Sequence, residues 1–402
     1  MKILTKIWLT SWMLLIPAIS LAKTDSAKNL EQRVQELESQ VQALQDSQAS
    51  LTDDFLRRTY IGAYANFRYI DAQGENNHFD GNRFDLVLNS RFHDRLRAYV
   101  DIKFQQAAGI AADNWQNQVI SNNNRSGIVS VFESYVDFIL AKWINFRAGI
   151  FLVPIAEYNR NPYMVNKEFA DDPMESYEYS DVGAELFGEA SLSDQIKLYY
   201  ELGAVQGLTS QTTGFFPSYA QDNNKAKSVF GRLNFTFFNQ AWLNLAGYYG
   251  DFSANNNSMY IVDSYVKLAP TNINVLNHFE LFAEGIYLDW QNDGTPLALD
   301  RVYLINSYFV FKFWPEILNR TFLGKRFDDP QFTLAFRYFR VDAKQYNPQI
   351  FNNASDNKYA FAFGYRPISN FVLHLQYEIN KGNSLNFRGD NNVFMINMAY
   401  NF

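Results

Sequence analysis

The chain has 402 residues, no cysteine and a net charge of −7, with 25 Tyr and 36 Phe at only modest mean hydropathy. A cysteine-free chain has no disulfide framework and no thiolate metal site, and past its first residues it has no uncharged apolar run near the ~18 residues of a membrane-spanning helix. Many aromatics at modest hydropathy suit strands that face lipid on one side and water on the other.

Lys2 and Lys6 precede an apolar stretch from Ile7 to Ile19, and Ser20 and Ala22 flank Leu21. This is the pattern of a secretory signal peptide, residues 1–22, cut after Ala22. The stretch is shorter than the ~20 residues that a retained anchor needs. From Leu30 the apolar residues step by four and three through Val34, Leu37, Val41, Leu44 and Leu51 to Phe55, with Gln48 in the same register. A heptad seam of this kind marks a coiled coil, with Arg33 and Glu38 placed to pair between chains. Residues 23–56 therefore read as a periplasmic coiled-coil stem that oligomerises. A single amphipathic helix at a barrel mouth would carry the same pattern.

From Thr59 the period changes to two, and residues 57–402 read as the barrel domain. Ile61, Ala63, Ala65, Phe67 and Tyr69 oppose Tyr60, Gly62, Tyr64, Asn66 and Arg68. Over 82–92, Phe84, Leu86, Leu88 and Phe92 oppose Arg83, Asp85, Asn89 and Arg91. Over 96–105, Leu96, Ala98, Val100, Ile102 and Phe104 oppose Arg97, Tyr99, Asp101, Lys103 and Gln105. Further strands are expected over 129–140, 143–153, 180–191, 195–206, 226–238, 241–252, 257–269, 275–290, 300–313, 330–342, 356–366, 369–380 and 391–402. The expected fold class is all-β, a 16-stranded antiparallel transmembrane barrel with an N-terminal coiled-coil helix. An even number of strands returns both termini to one side. Short turns (His93-Asp94, Ala141-Lys142, Asn239-Gln240) alternate with long loops (Gln106 to Ile128, Gly207 to Lys225), as periplasmic and external connections do. Trp314 to Asp329 breaks this rule, a long segment where a short turn belongs. Trp143, Trp242, Trp290 and Trp314 fall at strand ends and are expected in the interfacial girdle.

A barrel of this size keeps a water channel unless something folds inside. The candidate for an infolded segment is Pro154 to Tyr179, with Glu157, Glu168, Asp171, Asp172, Glu175 and Glu178 against Arg160 and Lys167. Inside the lumen it would form the constriction and favour cations weakly; outside, it would be an ordinary solvated loop. The inward wall carries both signs in balance. Its basic members are Arg68, Arg83, Arg91, Arg97, Lys103, Arg147, Lys197, Arg232, Lys267, Lys312, Arg337 and Arg366. The acidic ones are Asp85, Asp101, Glu133, Asp137, Glu185, Glu189, Glu201, Asp263, Glu280, Glu284 and Glu378. Such a wall forms a ladder of charges paired across strands. His78, His93, His278 and His374 are scattered without metal-ligand spacing, and no motif argues for an enzyme, a cofactor, a metal site or nucleic-acid binding.

On the coiled coil, on FDGNRFDLVLNSRFHDRLRAYVDIKF at 79–104, on FESYVDFILAKWINFRAGIFLVPIAEYNRNPY at 132–163 and on NKYAFAFGYRPISNFVLHLQYEIN at 357–380, the sequence resembles the phosphate-selective porin O and P family of Gram-negative outer membranes. The resemblance covers most of the mature chain through diffuse motifs. It implies a homotrimer of sixteen-stranded channels with the third loop folded inside. In that setting the terminal Phe402 matches the signal read by the outer-membrane barrel assembly machinery. Phosphate selection calls for Arg and Lys along the constriction, and 154–179 is acidic, so that selectivity is not carried over. The expectation is an outer-membrane channel passing small hydrophilic solutes or ions, set in outer-membrane lipid with its stem in the periplasm. A substrate-specific porin, with Tyr64, Tyr99, Tyr135 and Tyr199 lining a path for an anion, sugar or small organic solute, stays open, as does an adhesin or envelope tether.

Overall fold

The computed structural model describes residues 33–42, 57–105, 128–161, 163–171, 179–211, 214–217, 226–251, 258–271, 276–290, 299–327, 329–345, 354–382 and 391–402. The chain divides into two units, Met1–Arg58 and Thr59–Phe402. In the first, a helix spans 33–42, and Val34, Leu37 and Val41, spaced as a seam, are all exposed. Leu30, Leu44 and Leu51 and the signal residues 1–22 lie outside the described residues.

The strands of the second unit are β1 (Thr59–Ala72), β2 (His78–His93), β3 (Leu96–Gln105), β4 (Ile128–Ala141), β5 (Ile144–Leu152), β6 (Ser180–Ser191), β7 (Ile196–Val205), β8 (Leu208–Gln211), β9 (Gly214–Pro217), β10 (Ser228–Phe237), β11 (Ala241–Asp251), β12 (Ser258–Leu268), β13 (Phe279–Trp290), β14 (Leu299–Phe313), β15 (Gln331–Gln345), β16 (Ala354–Ile368), β17 (Phe371–Gly382) and β18 (Asn391–Asn401). Sixteen of them close into one antiparallel barrel, while β8 and β9 form a separate hairpin that the sequence pattern did not announce. β18 closes on β1 with Tyr64 opposite Asn401, and Ala63 and Phe402 exchange two backbone hydrogen bonds of 3.0 Å.

Strict alternation gives the wall two faces. On β18, Phe394 and Met398 are exposed, while Val393, Met395, Asn397 and Ala399 are buried. The alternation breaks at β-bulges, where one extra residue shifts the frame. Between Asp101 and Ile102 of β3 the partner changes from Glu133 to Val131. The extra residue, Phe132, therefore points inward with Glu133, and its ring lies under Arg83 at 4.9 Å and Lys103 at 4.8 Å.

At the end of the barrel where β1 begins and β18 finishes, the long segment before β15 contains a 3-10 helix, Glu316–Arg320, braced where the Trp314 indole N–H donates to Asn319 Oδ1 at 2.6 Å. Another, Leu276–His278, occupies the start of the strand expected over 275–290, which begins at Phe279. Outward aromatics form two belts on β13–β16. Tyr287 meets Tyr303 at 4.8 Å and Tyr338 meets Tyr359 at 5.3 Å toward the far end; Phe311, Phe313 and Phe332 stack near the terminal end. Trp143 is exposed and Trp314 packs on Phe332, but Trp242 is a correction. It shares its face with buried Asn244, Ala246 and Tyr248 and packs on the inner apolar cluster rather than in the lipid belt.

Candidate functional site

The segment that follows β5 turns into the barrel. Val153 still pairs with Tyr179, its amide donating at 2.9 Å, and Ala156 then takes a left-handed conformation, φ 57°, that a non-glycine residue rarely adopts. Two 3-10 turns follow, Glu157–Arg160 and Met164–Asn166. The apolar side chains of the segment complete clusters on the inward wall. Val153, Ile155, Ala156 and Tyr158 join Phe282, Ile286, Leu288, Val302, Leu304 and Phe339 from β13–β15. Met164 and Val165 meet Tyr64, Val372 and Ala399 of β1, β17 and β18, and Phe169 meets Val310, Ala335 and Ala360 of β14–β16. Apolar residues on a channel wall would be costly against water, and here the segment covers them.

Its polar groups are matched the same way. Arg160 binds Glu201 of β7 through two nitrogens at 2.7 and 2.8 Å, and Arg232 of β10 bridges Glu201 at 3.0 Å and Glu157 at 2.8 Å. The Tyr158 amide donates to Glu284 Oε1 at 3.3 Å. Tyr163 donates its hydroxyl to Asp101 of β3 at 2.7 Å, and the Met164 amide donates to the Tyr64 hydroxyl at 2.9 Å. Arg366 of β16 donates to the Val165 and Lys167 carbonyls and lies 3.3 Å from Glu168. Lys312 is 3.9 Å from Glu168. At the far end of the segment Asp171 accepts from Arg337, from Lys358 at 2.8 Å and from Gln376 at 2.7 Å. Arg337 is fully buried, its guanidinium over the Phe169 ring at 4.4 Å. Burial works against the Asp171 carboxylate, but Arg337 and Lys358 outweigh it and hold the group well below the ordinary carboxylate range.

The segment thus lies inside the barrel and touches strands around its circumference. Glu157, Glu168 and Asp171 all meet wall cations, so their negative charge is matched on the spot; Asp172, Glu175 and Glu178 lie outside the described residues. The sequence reading missed Lys358, although it shares the inward face of β16 with Arg366, and missed Arg160, Tyr163 and Gln376 as anchors.

The wall residues fall into groups. Arg97, Asp137, Arg147 and Glu185 stand directly opposite one another across β3, β4, β5 and β6. Asp137 accepts from Arg97 and, at 2.7 Å, from Arg147, which also reaches Glu185 at 3.0 Å. The Arg147 guanidinium lies 3.9 Å over the Tyr135 ring, which stacks on Tyr99 at 5.2 Å. Gly149, opposite Tyr135, has φ 137°, and a Cβ there would sit 2.6 Å from the Tyr135 Cα. Arg68 binds Asp80 at 2.7 Å and Arg83 binds Asp85 at 2.7 Å. Glu133 accepts from the Leu152 amide at 3.2 Å. Arg91 and Lys197 are exposed near the turns, apart from these groups. Among the described residues no cluster of His, Asp or Glu could hold a metal ion.

The sequence matches no family model and no curated relative. Its structure, in contrast, is similar to OmpF of Salmonella typhi in complex with daunomycin (TM-score 0.54, 10% identity, covering 86% of this chain and 97% of that one). This is the porin fold. An anion-selective porin from Comamonas acidovorans (TM-score 0.53, 9% identity, 86% and 99% covered) and in-vitro folded OmpT of Vibrio cholerae in a trimer form (TM-score 0.53, 10% identity, 86% and 99% covered) share it. At these identities the likeness is one of architecture, a closed sixteen-stranded outer-membrane barrel. The fold does not itself assign a solute.

Proposed function

We propose that the chain is an outer-membrane porin, a passive water-filled channel for small hydrophilic solutes or ions, with residues 155–171 as its constriction. The observation that carries this is the buried, ion-paired segment inside a sixteen-stranded barrel. Side chains alone do not fill a barrel of this size, so a segment fixed across it sets the width of the path. Glu133 faces inward on β4 and is only half-buried, and it favours cations weakly. The basic residues that could select phosphate, Arg232, Arg337 and Arg366, are engaged by acids, so the resemblance to the O and P family is a proposal about kinship of fold.

The proposed assembly is a homotrimer, as the resemblance implies, and two features support association between chains. Val34, Leu37 and Val41 leave an apolar seam that needs partner chains. The outward side of β5 and β6 includes the small, half-buried residues Ala148 and Ala184, which allow close approach of a neighbouring subunit, whereas the aromatic belts lie on β13–β16. The proposed setting is the Gram-negative outer membrane, with the stem in the periplasm and insertion by the barrel assembly machinery.

Planar-bilayer recording in a salt gradient tests the reading: discrete channels with a small reversal potential of cation sign are expected, and absence of channels would overturn it. The Tyr99–Tyr135 stack beside Arg147 favours one second reading, a path that binds a sugar or small organic solute. Solute-dependent block of the current would support it.

A further inference from the structure

The outward face of β13–β17 carries charge where a lipid-facing wall should be apolar. Toward the turn-rich end this face is Phe309, Phe336, Leu334 and Phe361. Toward the far end, Ile305 stands opposite Arg340, Tyr303 opposite Asp342 and Arg301 opposite Lys344. Arg340 in turn stands opposite Asn357, and Asn357 opposite Lys381. These residues alternate with buried Val302, Leu304, Phe339 and Val341, so they look away from the lumen. The Arg301 and Arg340 side chains are 46% and 42% exposed, and Lys344 and Lys381 are exposed as well.

The patch is built rather than scattered. Asp342 takes Arg340 Nε at 2.7 Å and Nη2 at 3.1 Å, and is itself held by the Ser355 hydroxyl at 2.6 Å. Arg301 Nε lies 3.2 Å from Asp289, which accepts from the Tyr287 hydroxyl at 2.7 Å. The carboxylates fix the direction of both guanidinium groups, yet Asp289 and Asp342 leave an excess of positive charge over Arg301, Arg340, Lys344 and Lys381. Tyr287, Tyr303, Tyr338 and Tyr359 flank the patch. Tyrosine rings of this kind sit at headgroup level with the hydroxyl toward water, which puts the cations where lipid phosphates lie.

We propose that Arg301, Arg340, Lys344 and Lys381 form an external binding site for the phosphate groups of an anionic outer-leaflet lipid. Guanidinium forks match phosphate oxygens in pairs, and ammonium groups add point charge. The proposal rests on the outer-membrane setting proposed above, with the stem, and hence the short turns beside the start of β1, in the periplasm.

The test uses the full chain purified in non-ionic detergent and incubated with lipid A, with phosphatidylethanolamine or with inorganic phosphate, and measures retained lipid per chain by native mass spectrometry. The R301Q/R340Q/K344Q/K381Q variant is expected to retain lipid A at least about tenfold more weakly, since each basic residue near an anionic surface contributes roughly fivefold. A K325Q/R326Q control at the opposite end should match the wild type. If the fourfold variant fails to fold, R340Q/K381Q should show an intermediate loss. Equal retention by wild type and either patch variant would overturn the site. Competition by inorganic phosphate at concentrations comparable to lipid A would overturn the lipid as its occupant. Bilayer conductance is expected to stay unchanged in the patch variants, so loss of lipid with intact channels separates this proposal from the channel reading.

Discussion

The inner wall solves its charge problem in two ways. Across β3–β6 the charges are satisfied by the neighbouring strand, in the ladder Arg97, Asp137, Arg147 and Glu185, and Arg97 remains 41% exposed. Across β12–β17 the wall carries long apolar runs, and although Lys267, Lys312 and Lys358 also pair with Glu280 and Glu378 on neighbouring strands, Arg337, Lys358 and Arg366 take further acids or carbonyls from the infolded segment. The ladder of four charges is complete without the segment; the apolar runs and their cations are not. A charge ladder therefore marks wall that can face water, while apolar wall whose cations reach inward for partners marks wall built to be covered.

The sharpest way to break this contrast is Arg337→Met. It leaves Asp171 and Glu378 buried with one cation fewer, and about 3–5 kcal/mol of stability should be lost, together with a rise in single-channel conductance as the segment loosens. Thermal unfolding and bilayer recording check the two effects. Phe282→Ala opens the apolar cluster under Tyr158, whose ring lies 6.0 Å away, and should cost about 3 kcal/mol while also widening the channel. Arg147→Gln strikes the other region: it should cost less, about 1–3 kcal/mol for a charged hydrogen-bonding partner, and should move the reversal potential further toward cations without changing conductance.

Acid sharpens the comparison further. Because the Asp171 carboxyl is held below its free value, its contribution is present above the unfolded pKa and is lost only as pH falls through the lower folded one. The anchored conductance level should therefore persist in recordings from pH 7 down to pH 4. The smallest effect is expected for Lys142→Ala, which breaks the exposed pair with Glu189 at 3.1 Å; it should change stability by less than about 0.5 kcal/mol.

Much of the barrel was legible in the sequence because the period of two repeats through every strand. Closure of the last strand on the first followed from the even count. What alternation cannot show is where its frame shifts. The bulge that sends Phe132 inward beside Glu133 leaves no local mark, and neither does the inward turn of Trp242, an indole at a strand end that reads equally well as an interfacial residue. The infolded segment was legible as a long acidic stretch, but its charge was not, since the partners of Glu157, Glu168 and Asp171 lie on strands far along the chain. Lys358 could have been found, because it lies on the same face as Arg366 by simple parity. The partnership of Arg337 with Asp171 could not, because it depends on how an irregular segment crosses the lumen.

The absence of native cysteines allows the central claim to be tested directly. Asn166 is exposed on the segment, its side-chain amide donating to Asn161 at 3.1 Å, and Asn166→Cys offers a single thiol. Attaching a bulky charged thiol reagent to it during bilayer recording should reduce single-channel conductance by at least about half, as expected for a group placed in the narrowest part of a pore. Complete labelling with no change in current would contradict the assignment of residues 155–171 as the constriction.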